Sequence, residues 1–179
     1  KILIIISGRA RLTYGNPLKS NSASILSSNS FIGLASLLGA SGCEDISAST
    51  DLMVMAISDS LILEIYEKEL KFKEWCNSNL QLSEVHRIAK ILHNESSEVE
   101  LQNVIDLILK NSLLRTFYNE YIIKVDEKVL NIVLSGNIIN KKIGDKIENN
   151  EKIKIRGNLP ARIIEIRQSI FEKLNTLSN

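Results

Sequence analysis

Few residues in this chain have the type and spacing to do chemistry. His86 and His93 stand seven apart, on roughly one face if that stretch is helical. A zinc ion on a helix takes pairs at i, i+4 and needs more ligands than two, so the spacing predicts a solvent-facing pair, not a metal centre. Cys43 is followed by Glu44 and Asp45, whose carboxylates raise a thiol pKa where a nucleophile needs it lowered. Cys43 and Cys76 have no C-x-x-C partner and read as free thiols of a reducing compartment. No Gly-Lys-Ser/Thr string occurs, so this segment has no P-loop and is not itself an ATPase. Paired histidines of the kind that hold an oxygenase or isomerase metal on a strand are missing from residues 1–57. Phe72 and Trp75, at i and i+3, read as core and not as a ligand stack. The expectation is a segment that is not an enzyme, with no catalytic residue, metal or cofactor.

The 179 residues are 44% apolar and 24% charged, enough for one core or two small ones. With 22 basic and 21 acidic residues the net charge is +1. The densest basic cluster, Lys141, Lys142 and Lys146, sits among Asp145, Glu148 and Glu151 and predicts a solvated turn, not a nucleic-acid surface. The longest apolar run, Ile2 to Ile6, is far short of the roughly 20 residues that span a bilayer. This segment is therefore expected to make no direct membrane insertion. It opens inside a strand without a leader, which predicts a piece of a longer protein.

The elements that would position side chains change character along the chain. Ile2 to Ile6 is a β-branched run, Ser7-Gly8 allows a bend, and Arg9 to Thr13 alternates at the strand period. Lys19 to Ser30 is rich in Ser and Asn and predicts an exposed loop. Ile46 to Thr50 and Leu52 to Ile57 predict further short strands. Asp59 is expected to cap a helix carrying Leu61, Ile62 and Ile65 inward, with a second helical segment over residues 72–80. Ser83 is expected to cap a third helix, with Val85, Ile88, Ala89 and Leu92 on one stripe. Ser97 to Glu100 fits a capping box ahead of Leu101, Ile105, Ile108 and Leu109. Strands return from Leu113, and a short helix over residues 167–174 closes the chain. Ile4-Ile5-Ile6-Ser7-Gly8 is echoed by Ile132-Val133-Leu134-Ser135-Gly136, by chance or as the mark of a second β unit.

Three strings in order carry a resemblance: Ile2 to Leu12, then Gly33-Leu34-Ala35-Ser36-Leu37-Leu38, then Ile46-Ser47-Ala48. Together they resemble the cyclic nucleotide-binding domain over roughly residues 1 to 80, with the first strands of that family falling before Lys1. The resemblance implies an α+β fold, mainly β with helices. Its parts would be a truncated β-roll (jelly roll), then helices and a small second β region. Residues 1–80 would form the roll with its helices, 81–112 a helical connector, and 113–179 the second β region with a closing helix. In the family cassette, backbone N–H groups and a buried Arg hold the cyclic phosphate while a Glu accepts from the ribose hydroxyl. Here Gly33 falls on the family Gly and Leu34 on the Glu, with Ala35 and Ser36 following. Gly42 falls on the phosphate Arg, Cys43 on the small polar residue beside it, and Glu44 and Asp45 come next. A site without its guanidinium loses several kcal/mol, and micromolar affinity corresponds to only about 8 kcal/mol in all. Useful binding of cAMP or cGMP is therefore not expected. Gly33 and Gly39 are equally explained as turn glycines of a β-roll or as remnants of a ligand pocket.

A narrower similarity joins Leu37-Leu38, Cys43-Glu44, Ser47 to Thr50, Phe72, Trp75-Cys76 and Leu159 to Ile164. These strings resemble the cyclic-nucleotide-like regulatory domains of cyanobacterial secretion-type ABC exporters. That similarity implies a regulatory or docking domain for protein secretion, partnered by membrane and ATPase domains of the same polypeptide, and it allows a homodimer formed through the parent protein. Its location would be cytoplasmic, tethered to the inner membrane through that parent. Two other readings stay open. One is a fragment of a catabolite-activator-type transcription regulator, which needs a groove-facing helix where only Lys110 and Arg115 supply cations. The other is a sensor of a different small ligand, uncharged or cationic.

Overall fold

A computed structural model describes residues 1–13, 22–42, 45–92, 98–124, 126, 128–170 and 172. The chain is α+β. Strand β1 (Ile2–Ser7) lies between β4 (Phe31–Ile32) and β6 (Met53–Ile57) in one antiparallel sheet. A second sheet has β2 (Ala10–Thr13) between β3 (Ser22–Leu26) and β5 (Asp45–Ala48). A short helix, α1 (Leu34–Leu38), joins β4 to β5. Strand β3 corrects the loop expected over residues 19–30. Its polar sequence has little strand propensity of its own, but pairing with β2 (Ala10 opposite Leu26, Leu12 opposite Ser24) overrides that. As an edge strand it also tolerates polar residues well.

Helices α2 (Asp59–Lys68) and α3 (Leu70–Ser78) follow, broken at Glu69, where the backbone is extended. The cap of α2 is Ser58, not Asp59: its Oγ accepts from the Leu61 N–H at 3.2 Å. Helix α4 (Leu82–Leu92) likewise does not use Ser83, which is buried; the Glu84 carboxylate accepts from the Gln81 N–H at 2.9 Å. Helix α5 (Glu98–Asn111) carries the predicted stripe; Ser97 of the expected capping box lies outside the described residues.

The rest is β structure closed by a helical turn at 168–170. Strands β9 (Val129–Val133), β10 (Lys146–Ile147), β12 (Ala161–Arg167) and β7 (Ser112–Phe117) form a sheet in the order β10-β9-β12-β7, while β8 (Tyr121–Ile123) pairs with β11 (Glu151–Ile153). The sequence echo proves to be structural. Ile4 faces Met55 and Ile5 faces Val54 across β1 and β6; Ile132 faces Ile164 and Val133 faces Ile163 across β9 and β12. In both units the second strand of the pair runs directly into a helix. The same register of the same pair, twice in one chain, makes a repeat and removes chance as the explanation.

Each unit has its own apolar centre. Ile2, Leu34, Leu38, Ile62, Tyr66 and Cys76 pack α1, α2 and α3 against one end of the first sheet, and Ile5, Ala10 and Leu26 pack its two sheets together. Val85, Ile88, Ala89, Val104, Ile105 and Ile108 of α4 and α5 share one core with Ile132, Leu134, Ile164 and Ile166. The two units meet closely at Gly136. Its N–H donates to the Gly39 carbonyl at 2.8 Å, and a Cβ there would stand 3.0 Å from the Ala40 carbonyl oxygen, so a side chain is excluded.

Candidate functional site: the cassette segment and the helix that holds it

Gly33 precedes α1 with φ of 87°, a left-handed backbone, and a Cβ on it would meet the Lys1 carbonyl at 3.1 Å. It is required by conformation, as a turn glycine is. Leu34 is completely buried among Ile2, Leu38, Ile62 and Tyr66. An aliphatic side chain at this point gains burial where a carboxylate would lose its hydration. Ala35 is buried as well, and Ser36 is partly so. Gly42 is exposed, with nothing within 4 Å of where a Cβ would stand. Cys43 and Glu44 lie outside the described residues.

A guanidinium does reach this segment, from a direction the sequence did not suggest. Arg87, half-buried on α4, donates through Nη1 to Ser41 Oγ at 3.0 Å and to the Gly42 carbonyl at 3.1 Å. Arg9 and Arg11, the cations nearest in sequence to the first strands, are exposed. The loop after α1 is therefore tied twice: by Arg87 of α4, and by Gly136 of the second unit through the Gly39 carbonyl.

The other end of α4 is fixed by a buried ion pair. Arg162, on β12, is fully buried and meets Glu84 through two parallel bonds, Nε to Oε1 at 2.5 Å and Nη2 to Oε2 at 2.8 Å. Its remaining donors reach the carbonyls of Cys76 at 2.7 Å and Asn79 at 3.2 Å, where α3 ends. One guanidinium thus satisfies a carboxylate and two orphan carbonyls at a junction of three elements. Burying both charges is costly, so the arrangement specifies a position more than it adds stability. Arg162 was within reach of sequence reasoning. It shares the inward period of Ile164 and Ile166, and a charge on an inward strand position demands a buried partner.

A third contact joins α2, α3 and the end of β7. The Tyr66 hydroxyl donates to Asn77 Oδ1 at 2.8 Å and lies 2.8 Å from the Tyr118 hydroxyl, while Asn77 Nδ2 donates to Tyr118 at 2.9 Å. Lys73 Nζ sits 5.5 Å and 5.3 Å from the two ring centres. Burial holds the Tyr66 pKa well above the usual phenol value, so this network stays neutral and acts as mortar.

His86 corrects the expectation of a solvent-facing pair. It is buried on the core side of α4, and burial pushes its pKa down to about 4, with Lys90 adding to the shift. His93 lies outside the described residues. Cys76 is buried, and burial pushes its thiol up to about 11, so it is no thiolate at neutral pH. Lys141 pairs with Glu151 at 2.7 Å inside the predicted turn. Phe72 and Trp75 stack at 6.1 Å between ring centres. Among the described residues no group of three or more His, Cys, Asp or Glu is placed to hold a metal ion, and no helix is long and apolar enough to cross a membrane.

No family model and no curated protein matches the chain. Among solved structures it is similar to cAMP-bound PfPKA-R, at 14% identity and a TM-score of 0.35 over 97% of this chain and 65% of that one, less than two thirds of its length. It is also similar to the regulatory domain of Toxoplasma gondii PKA with cAMP (9% identity, TM-score 0.37, 99% of this chain and 74% of that one). A third is the regulatory subunit of a cAMP-independent protein kinase A from Trypanosoma brucei (11% identity, TM-score 0.33, 99% and 70%). Overlays this loose establish no residue equivalence.

Proposed function

We propose that the chain is a non-catalytic regulatory and docking module, built as an N-terminally truncated cyclic-nucleotide-binding-like β-roll with a second, related β unit, and unable to bind cAMP or cGMP. The observation that carries this reading is Leu34. At the position where the resemblance requires a ribose-holding carboxylate, the side chain is sealed in the core between β1 and α2. The one guanidinium of the described residues that reaches the loop is bonded to the loop itself, as a strap would be. Movement of that loop is then passed to α4, and from α4 through Glu84 and Arg162 to the second sheet. That is the connectivity a relay between domains needs. Titration calorimetry of the chain with cAMP and with cGMP tests it: no saturable heat is expected up to about 100 μM, and low-micromolar binding of either overturns the reading.

The parent context is proposed on the resemblance of strings alone: a secretion-type ABC transporter, cytoplasmic on this side and tethered to the inner membrane. The reading frame around this segment is expected to continue into membrane helices and a P-loop, and its absence from both flanks would remove the transporter. Division at about Leu80 and about Ser112 belongs to the same proposal, with α4 and α5 grouped with the β unit whose core they share. A second reading, a sensor of another small ligand, is favoured by Arg87, which brings a cation to a loop otherwise lacking one.

A further inference from the structure

The repeat allows one unit to be used as a guide to the other. On the second unit, the sheet face made by Ile132, Leu134 and Ile164 is buried under α4 and α5, and the outer edge of β12 is paired with β7 over Ser112 to Phe117. The first unit presents the same face through Ile4, Ile6, Met53 and Met55, by the register that aligns Ile4:Met55 with Ile132:Ile164. None of these four belongs to an apolar cluster; Ile6 is 48% exposed, Met53 62% and Met55 47%. The edge of β6 away from β1 is likewise unpaired among the described residues. An open strand edge beside an apolar face is a template for further pairing and is normally covered.

We infer that this face and edge seat a helix–strand segment of the same polypeptide lying ahead of Lys1, arranged as α5 and β7 are on the second unit. The inference rests on the truncation in the reading above, and it commits to what fills the gap. The segment's chemistry follows from its counterpart. It needs a helix with a β-branched ridge like that of Val104, Ile105 and Ile108, to lie across Ile4, Ile6 and Met55. It then needs a strand to run antiparallel to β6, as β7 runs to β12. A route into the first unit exists, because the Lys1 amino group lies at the surface, 2.7 Å from Asp59 at the start of α2.

The test is maleimide labelling of Met55→Cys in a Cys43→Ser background, in the 179-residue chain and in the full-length protein. Met55 is exposed, so the substitution leaves the fold intact. Labelling is expected to be at least about tenfold slower in the full-length protein, where the position would react only through local opening. Deleting the residues ahead of Lys1 should restore fast labelling. Equal rates in the two proteins overturn the inference, as does protection that survives the deletion, which would assign the cover to another domain. Slow labelling in the 179-residue chain together with a dimer on size exclusion also overturns it, in favour of a second copy. Calorimetry with cAMP is blind to this face, so failure here and failure of the no-binding reading are distinguishable.

Discussion

The two β units run the same strand pair in the same register and treat it in opposite ways. Ile132, Leu134 and Ile164 are at most 4% exposed, while Ile6 and Met55, their counterparts, are about half exposed. Even the misfit position follows this divide. Where the first unit has Met53, at 62% exposure, the second has Arg162, at 0%, and Arg162 is tolerated because Glu84 of the covering helix meets it. The comparison teaches that the strand pair sets which residues face together, and the elements packed on it decide whether that face is core. A hydrophobic pattern therefore marks a face without telling what lies over it.

The largest break in the comparison comes from the charge. Arg162→Met leaves Glu84 buried and unpaired, and Glu84→Gln leaves Arg162 so; each is expected to cost about 3–5 kcal/mol in urea or thermal unfolding. Met53→Ala, at the matching position of the first unit, should stay within about 0.5 kcal/mol. A loss under 1 kcal/mol for Arg162→Met would mean the pair is not buried in solution. Next in size are the aliphatic counterparts. Ile132→Ala should cost about 3 kcal/mol by leaving a cavity under α5, whereas Ile6→Ala should cost no more than about 0.5 kcal/mol. Similar values for the two would erase the asymmetry between the units.

Much of this architecture could be read in the residues. The β-branched run at Ile2 to Ile6, the stripe on α5 and the turn at Lys141 to Asp145 were all visible, because each is a local pattern with a local cause. The repeat was visible as an echo but not provable, since an apolar run ending in Ser-Gly is common and only register could decide. Strand β3 was hidden, because its strand state is imposed by β2 and not by Ser24 or Ser30. The site divided the same way. The loss of the cassette charges is plain at Leu34 and Gly42, where it depends on residue type alone. Arg87 was invisible: its partners Ser41 and Gly42 are 46 and 45 residues away, with neutral acceptors that leave no charge pattern in the sequence.

The covering helix also carries the pH dependence of the second unit. The unfolded chain takes up a proton on His86 near its ordinary pKa of 6.5, the folded chain only near about 4, because burial disfavours the imidazolium. Between those values the unfolded state binds more protons, so stability rises with pH and is lost as pH falls through that window, by up to about 1.4 kcal/mol per pH unit. Acidic groups add their own slope. The expected signature is therefore a difference: urea midpoints between pH 4.5 and 7 should vary less in His86→Gln than in the parent chain. Parallel curves for the two would show that His86 titrates as an exposed residue, and with it that α4 does not cover the sheet.

The smallest expected effect bears most directly on the relay. Arg87→Ala removes two hydrogen bonds to the loop and no core packing, so global stability should change by about 1 kcal/mol or less. The change belongs in local opening. The Ser41 amide, bonded to the Ser36 carbonyl at 3.1 Å, and the Gly136 amide, bonded to the Gly39 carbonyl at 2.8 Å, report the two ties on the same loop. If α4 straps the loop, Ser41 should exchange about fivefold faster in the variant, the counterpart of about 1 kcal/mol. Gly136 should follow it, because a loop freed from α4 loosens its hold on the second unit. Faster exchange at Ser41 with Gly136 unchanged would keep the strap and sever the relay: the two units would then be neighbours joined by α4, not partners coupled through it.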